Sequence, residues 1–215
     1  MDFYSLVKIA LAAVPIVLAI TVHEAAHGYV ARMFGDQTAW MLGRVTLNPL
    51  KHIDPVGTIL VPGVLLLTGA PFLFGWAKPV PVNFGNLRHP KRDMVWVAGA
   101  GPASNFVMAI FWALLLGAAA PGGVIASNGL QEVAQYGIMI NLVLMALNLL
   151  PIPPLDGGRI AVGLLPGDAS HALARIEPYG FYVILLLMLI PGAVSMLLSP
   201  MVGAARFVIR ALTGI

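Results

Sequence analysis

The chain has 215 residues, of which 59% are hydrophobic and only 10% charged, with a mean hydropathy of +0.90. That balance excludes an ordinary soluble domain, and it excludes intrinsic disorder, which needs low hydrophobicity and high charge. The net charge of +3 is scattered rather than clustered as a nucleic-acid footprint requires, and with no cysteine any metal must be held by His, Asp or Glu.

A membrane-spanning helix needs roughly 20 apolar residues, so the chain reads as one membrane-embedded domain, residues 1–215, built from several such spans. The first covers residues 4–34: an uncharged run from Ile9 to Val22 continues through His23-Glu24-Ala25-Ala26-His27 to Phe34, where Gly35-Asp36 ends it. With little net charge at its start, it reads as a retained span rather than a cleaved signal peptide. Residues 36–55 are polar and punctuated, a loop. The apolar stretch 56–70, interrupted by Pro62 and Gly63, is short for a bilayer core of roughly 30 Å and reads as a re-entrant or short span. After it, Lys78-Pro79-Val80-Pro81-Val82-Asn83 cannot be helical and fits an extended edge strand, because each proline lacks a ladder donor.

Spans follow over residues 94–120 and 131–150, separated by Pro121-Gly122-Gly123, and the second stops at Pro151-Ile152-Pro153-Pro154. Residues 155–178 form a polar connection with one short helix, and 179–199 the last span. The tail 200–215, with Arg206 and Arg210 four apart, is expected in the membrane interface. Basic residues concentrate at 32–51, 78–92 and 159–175, which places those regions on the cytoplasmic side. The expected fold is therefore an all-α membrane protein: a polytopic transmembrane helix bundle with a re-entrant segment and a short proline-edged extended strand.

Ionisable side chains inside an apolar span are functional by default. On a helix His23 and His27 lie about 40° apart, one turn above the other, and Glu24 about 60° from His27. Two imidazoles on one face that share a zinc ion, with the glutamate as general base, is the chemistry of an H-E-x-x-H helix. A catalytic zinc needs a third ligand. His52, His89, His171, Asp54, Asp93, Glu132 and Asp156 are candidates, and Asp156 is best placed, after a proline-stiffened approach and before two glycines. A helix cap or turn remains the alternative for that aspartate.

The sequence closely resembles the site-2 protease family of intramembrane zinc metalloproteases, in its compact form without a PDZ domain. The likeness runs in family order from His23-Glu24-Ala25-Ala26-His27 through the stretches 43–58 and 75–83 and Gly101-Pro102-Ala103-Ser104-Asn105 to Asn148-Leu149-Leu150-Pro151-Ile152-Pro153-Pro154-Leu155-Asp156-Gly157-Gly158-Arg159. It implies His23, His27 and Asp156 as Zn2+ ligands, Glu24 as catalytic base acting on zinc-activated water, and Asn148 as support for substrate or oxyanion. Gly101 to Asn105 is expected to serve close helix packing with one polar contact, and Asn141 to act as interhelical hydrogen-bond glue. The implied activity is hydrolysis of a peptide bond in or near the transmembrane segment of a membrane-protein substrate. The setting is a lipid bilayer, as a multi-pass protein of a bacterial cell membrane with its active site toward the cytoplasm. On physical grounds the proline-edged strand Val80 to Asn83 either captures an unwound substrate segment by strand addition or is a proline-rich loop with no substrate role. The competing reading is a membrane divalent-metal transporter or metal-binding protein without hydrolytic activity, in which Glu24 would be a ligand or proton relay.

Overall fold

The structure is a computed structural model and describes residues 3–69 and 75–215; the last residue of the expected 56–70 segment lies outside the described residues. Its helices are α1 (Phe3–Met33), α2 (Thr38–Met41), α3 (Val61–Leu67), α4 (Pro90–Ala119), α5 (Asn128–Asn148), α6 (Asp156–Leu164), α7 (Gly167–Ala174), α8 (Glu177–Leu189) and α9 (Ala193–Thr213). Four of them, α1, α4, α5 and α9, are long and apolar enough to cross a membrane, and α7 with α8 forms a further apolar pair bent by 63°. This is an all-α polytopic membrane protein.

The central helix is α4, packed against α1, α5 and α6. Small residues allow that closeness, as membrane helices require in the absence of a hydrophobic drive between them. Ala109 and Ala113 of α4 meet Leu142 and Met145 of α5 and Ala205 and Ile209 of α9 in one buried cluster. A second seam joins Leu198 of α9 to Ala146 and Leu150. Helix α9 therefore runs unbroken through Pro200 along the bundle, and the break in this region falls earlier, where Gly192 adopts φ +79° ahead of Ala193.

Helix α1 ends in a Schellman turn: the Gly35 N–H donates to the Arg32 carbonyl and the Asp36 N–H to the Ala31 carbonyl, with Gly35 at φ +114°. That turn fixes Asp36, which is fully buried. Its carboxylate accepts from the Thr38 N–H at 3.1 Å, the Thr38 hydroxyl at 2.5 Å, the Asn83 N–H at 2.8 Å and the Asn86 amide at 3.1 Å. Burial works to raise its carboxyl, but these donors outweigh it and hold the group below the usual carboxylate range.

After α2 the chain reaches a π-helical turn over Pro55–Leu60, capped by Asp54, that leads into α3. The apolar helix Pro55–Leu67 is too short to span. The chain has returned to its starting level by Trp76, whose N–H donates to the Gly57 carbonyl at 3.0 Å, and the Lys78 N–H reaches the His52 carbonyl at 2.9 Å. The expected edge strand that follows is an extended segment without a ladder: no strand occurs among the described residues, and Pro79 and Pro81 offer no donors to build one.

A close helix contact in the bundle interior lies at Gly137, where a Cβ would sit on the indole of the buried Trp112. Gly137→Ala is expected to destabilise the fold by about 1–3 kcal/mol, as overpacking does, read as a lowered thermal midpoint in detergent.

Candidate metal centre

Three buried groups from two distant parts of the chain converge beside α4. His23 and His27 project from one face of α1, and Asp156 opens α6; one ligand atom from each lies within 4.8 Å of the others. His23 Nε2 is 3.2 Å from Asp156 Oδ2, His27 Nε2 is 3.3 Å from Asp156 Oδ1, and the two Nε2 atoms are 3.1 Å apart. The helical arithmetic for the histidine pair is met, and of the candidates for a third ligand Asp156 is the one brought to it.

The turn from α5 into α6 explains how. Gly157 lies against the Leu149 and Leu150 carbonyls and Gly158 against the Ile152–Pro153 backbone, so closely that a Cβ at either would collide with main chain. The two glycines let α6 begin directly under the end of α5, with Asp156 turned inward. Asp156 does not cap its own helix, since the N-cap is Leu155 without a side-chain bond.

The outer ring nitrogens decide what the inner ones present. His27 Nδ1 lies 2.7 Å from the Val97 carbonyl, which only accepts, so Nδ1 carries the proton. For His23 the logic runs through two amides. Asn141 Nδ2 donates to the Gly137 carbonyl at 2.8 Å, so its oxygen faces Asn105 and accepts from Asn105 Nδ2 at 2.9 Å. Asn105 also donates to the Ala19 carbonyl at 3.3 Å, leaving Oδ1 to accept from His23 Nδ1 at 2.6 Å. With the outer nitrogen carrying the proton, each imidazole in its neutral form turns an Nε2 lone pair toward the same point as the Asp156 carboxylate. Asp156 Oδ2 is buried without a hydrogen-bond donor. Lone pairs facing one another in an apolar interior repel unless a cation lies among them, so the donor set, two nitrogens and a carboxylate, fits a divalent metal such as zinc.

Other expected residues take distinct places. Glu24 faces the extended segment, where its Oε2 accepts from the Val80 N–H at 2.6 Å. Asn148 donates to the Leu144 carbonyl of its own helix at 3.0 Å and makes no hydrogen bond to the trio; its chain neighbour Leu149 supplies the carbonyl packed on Gly157, next to Asp156. Asn141 is the interhelical link expected of it, and the stretch Gly101–Asn105 supplies the expected close packing but more than one polar contact, since Asn105 bonds His23, Ala19 and Asn141. His52 is buried, with Nε2 on the Thr46 carbonyl at 2.9 Å. Along the segment, Arg44 donates to the Lys78 carbonyl at 2.9 Å and the Pro79 carbonyl at 3.3 Å. The Val82 N–H and the carbonyls of Val80, Pro81 and Val82 carry no hydrogen bond among the described residues. The Val97 carbonyl escapes any sequence reading, because a backbone acceptor leaves no side-chain signal, and nothing in the sequence distinguishes Asp36 from an ordinary turn aspartate.

Comparison with known proteins identifies the family. Residues 115–191 match the model of peptidase family M50. The chain is 42% identical over 208 residues to "Putative zinc metalloprotease YwhC" of Bacillus subtilis (strain 168), covering 95% of this chain and 91% of that protein. It is 31% identical over 180 residues to the like-named Rip2 of Mycolicibacterium smegmatis, covering 81% of this chain and 65% of the relative. A similarly named archaeal relative, MJ0611 of Methanocaldococcus jannaschii, is 28% identical over 141 residues, 64% of this chain and 62% of its own length. No solved structure matches. The chain belongs to peptidase family M50, the site-2 protease type of zinc metalloprotease. The competing reading as a metal carrier without hydrolytic activity falls with that membership.

Gly101 of α4 faces the two rings, and a Cβ there would press on His27 Nε2 and come within 2.5 Å of His23 Cε1 and 2.6 Å of its Nε2. Gly101→Ala is therefore expected to splay the imidazole pair, and metal analysis of the purified variant should find its zinc content well below one per chain. Asn105→Ala removes the acceptor on His23 together with the donors to Ala19 and Asn141, and should weaken zinc binding by about 10–100-fold, measured by chelator competition.

Proposed function

We propose that the protein hydrolyses a peptide bond in or beside the transmembrane segment of a membrane-protein substrate, with His23, His27 and Asp156 holding zinc and Glu24 acting as general base. The observation that carries the ligand assignment is the buried Asp156 oxygen without a donor, facing two imidazole nitrogens whose protons are committed elsewhere. Zinc bound there polarises the scissile carbonyl and acidifies water. The chain's own residues do the rest. Glu24 is held at one oxygen by the Val80 N–H, which leaves its other oxygen to take the proton from the attacking water and return it to the leaving amine.

Asn148 has a second amide hydrogen beyond the one given to Leu144, and in this reading it supports the substrate carbonyl or the developing oxyanion. A helical substrate hides its peptide groups in its own hydrogen bonds and must unwind to react. The Val82 N–H and the carbonyls of Val80, Pro81 and Val82, unpaired among the described residues, supply an edge on which an unwound stretch can pair, next to Glu24. The basic residues of the loops at 32–51, 78–92 and 159–175 support an orientation in a bacterial cell membrane with this edge toward the cytoplasm.

The test compares wild type, Glu24→Gln and Asp156→Ala, purified in detergent and assayed on a single-span membrane substrate, with zinc measured in each. Glu24→Gln should lower cleavage by about 10²–10⁴-fold while keeping its zinc, and Asp156→Ala should lose both. Chelation should silence the wild type, and restored zinc should revive it. Cleavage by Glu24→Gln at the wild-type rate would remove Glu24 from the mechanism.

A further inference from the structure

The extended segment that touches Glu24 is held at both ends by groups with no part in the chemistry. At Lys78 and Pro79 it is gripped by the Arg44 guanidinium and the His52 carbonyl; at Asn83 its N–H is taken by Asp36 Oδ2 at 2.8 Å. Between these ties Pro79 and Pro81 have no N–H, and the Val80 N–H goes to Glu24. The Val80 side chain is buried and faces α1 at Gly28, where a Cβ would come within 3.0 Å of its Cγ1. The register of the segment on α1 rests on these Val80 contacts together with the ties at its two ends. The Asn83 end is anchored by a carboxylate that the Schellman turn fixes to the very helix carrying His23, Glu24 and His27.

We propose that Asp36 is a positioning residue for the hydrolysis: by holding the Asn83 N–H it keeps Val80 in register with Glu24, and so orients the carboxylate that moves the proton. The reading rests on Glu24 being the base. Asp36 has the attributes such a role requires, namely complete burial, four donors directed at its two oxygens, and a rigid origin. A carboxylate that only capped the four-residue helix α2 would need the Thr38 donors alone. The bonds from Asn83 and Asn86 extend its grip across the chain to the far end of the segment.

The experiment uses the full-length chain in detergent, with Asp36→Asn, Thr38→Val and Glu24→Gln compared with wild type. Asp36→Asn turns one acceptor oxygen into a donor facing other donors, whereas Thr38→Val removes a capping hydroxyl and leaves the Asn83 bond in place. Asp36→Asn should lower kcat by about tenfold or more with KM changed by less than about threefold, since a displaced base costs transition-state rather than substrate binding. Its zinc content should stay at the wild-type level. Hydrogen exchange of a peptide spanning residues 78–83 should accelerate in Asp36→Asn, because two of its exchangeable amides, Val80 and Asn83, lose their fixed acceptors. Thr38→Val should keep wild-type kcat and wild-type exchange. Wild-type kcat in Asp36→Asn, loss of its zinc, unchanged exchange, or an equal loss of activity in Thr38→Val would each overturn the proposal. Full activity in Glu24→Gln would instead defeat the underlying assignment of the base, so the two failures are separable.

Discussion

The structure depends on one unfavourable arrangement: acceptor groups from three side chains aimed at a single point inside an apolar helix bundle. Two ring nitrogens 3.1 Å apart and a carboxylate 3.2–3.3 Å from each cannot share that space stably as bare lone pairs. The rest of the site prevents the easy escapes. A histidine could relieve the conflict by moving its proton to the inner nitrogen, but the Val97 carbonyl and the Asn105 oxygen hold the proton on the outer one. Asn105 could flip to release His23, but Asn141 and Ala19 fix it, and Asn141 is fixed in turn by Gly137. Buried amides of this kind are often interhelical adhesive; here the adhesive and the tautomer control are the same bonds.

Convergence of this sort needs backbones to approach more closely than side chains normally permit, and glycine supplies the clearance. Gly101 makes room on α4 for both rings, and Gly157 and Gly158 let α6 start beneath the end of α5 so that Asp156 faces inward. These glycines adopt ordinary helical backbone, so their reason is space rather than conformational freedom. A positive φ matters elsewhere, at Gly35, where it turns the chain out of α1 and sends Asp36 inward.

Much of this was legible in the sequence because the signals were local. Helix periodicity alone puts His23 and His27 on one face, and the Pro-Pro-Leu-Asp-Gly-Gly run announces a stiff, closely packed turn carrying an acid. What stayed hidden depends on tertiary partners. No pattern tells that Asn105 meets His23 across 82 positions, or that Asp36 reaches Asn83 across 47. The helix boundary near residue 190 was obscured for a different reason. Ile190-Pro191-Gly192 interrupts a nearly uniform apolar stretch in which no amphipathic face marks where one helix stops, and Pro200, a breaker on paper, is carried within α9.

The extended segment shows how an apparently weak element becomes a precise one. Alternating prolines deprive it of the ladder that would normally fix a strand, and it has no strand neighbour among the described residues. Its order is borrowed from side chains instead: a guanidinium at one end, a buried carboxylate at the other, and Glu24 between them. The same prolines that forbid a ladder also limit which amides could compete for Glu24, so Val80 is the donor the segment offers it. The segment is fixed by side chains from α1 and its adjoining loop, and among the described residues the Val82 N–H and the carbonyls of Val80, Pro81 and Val82 carry no hydrogen bond. With no strand beside it among the described residues, the segment keeps an open edge next to the proposed base.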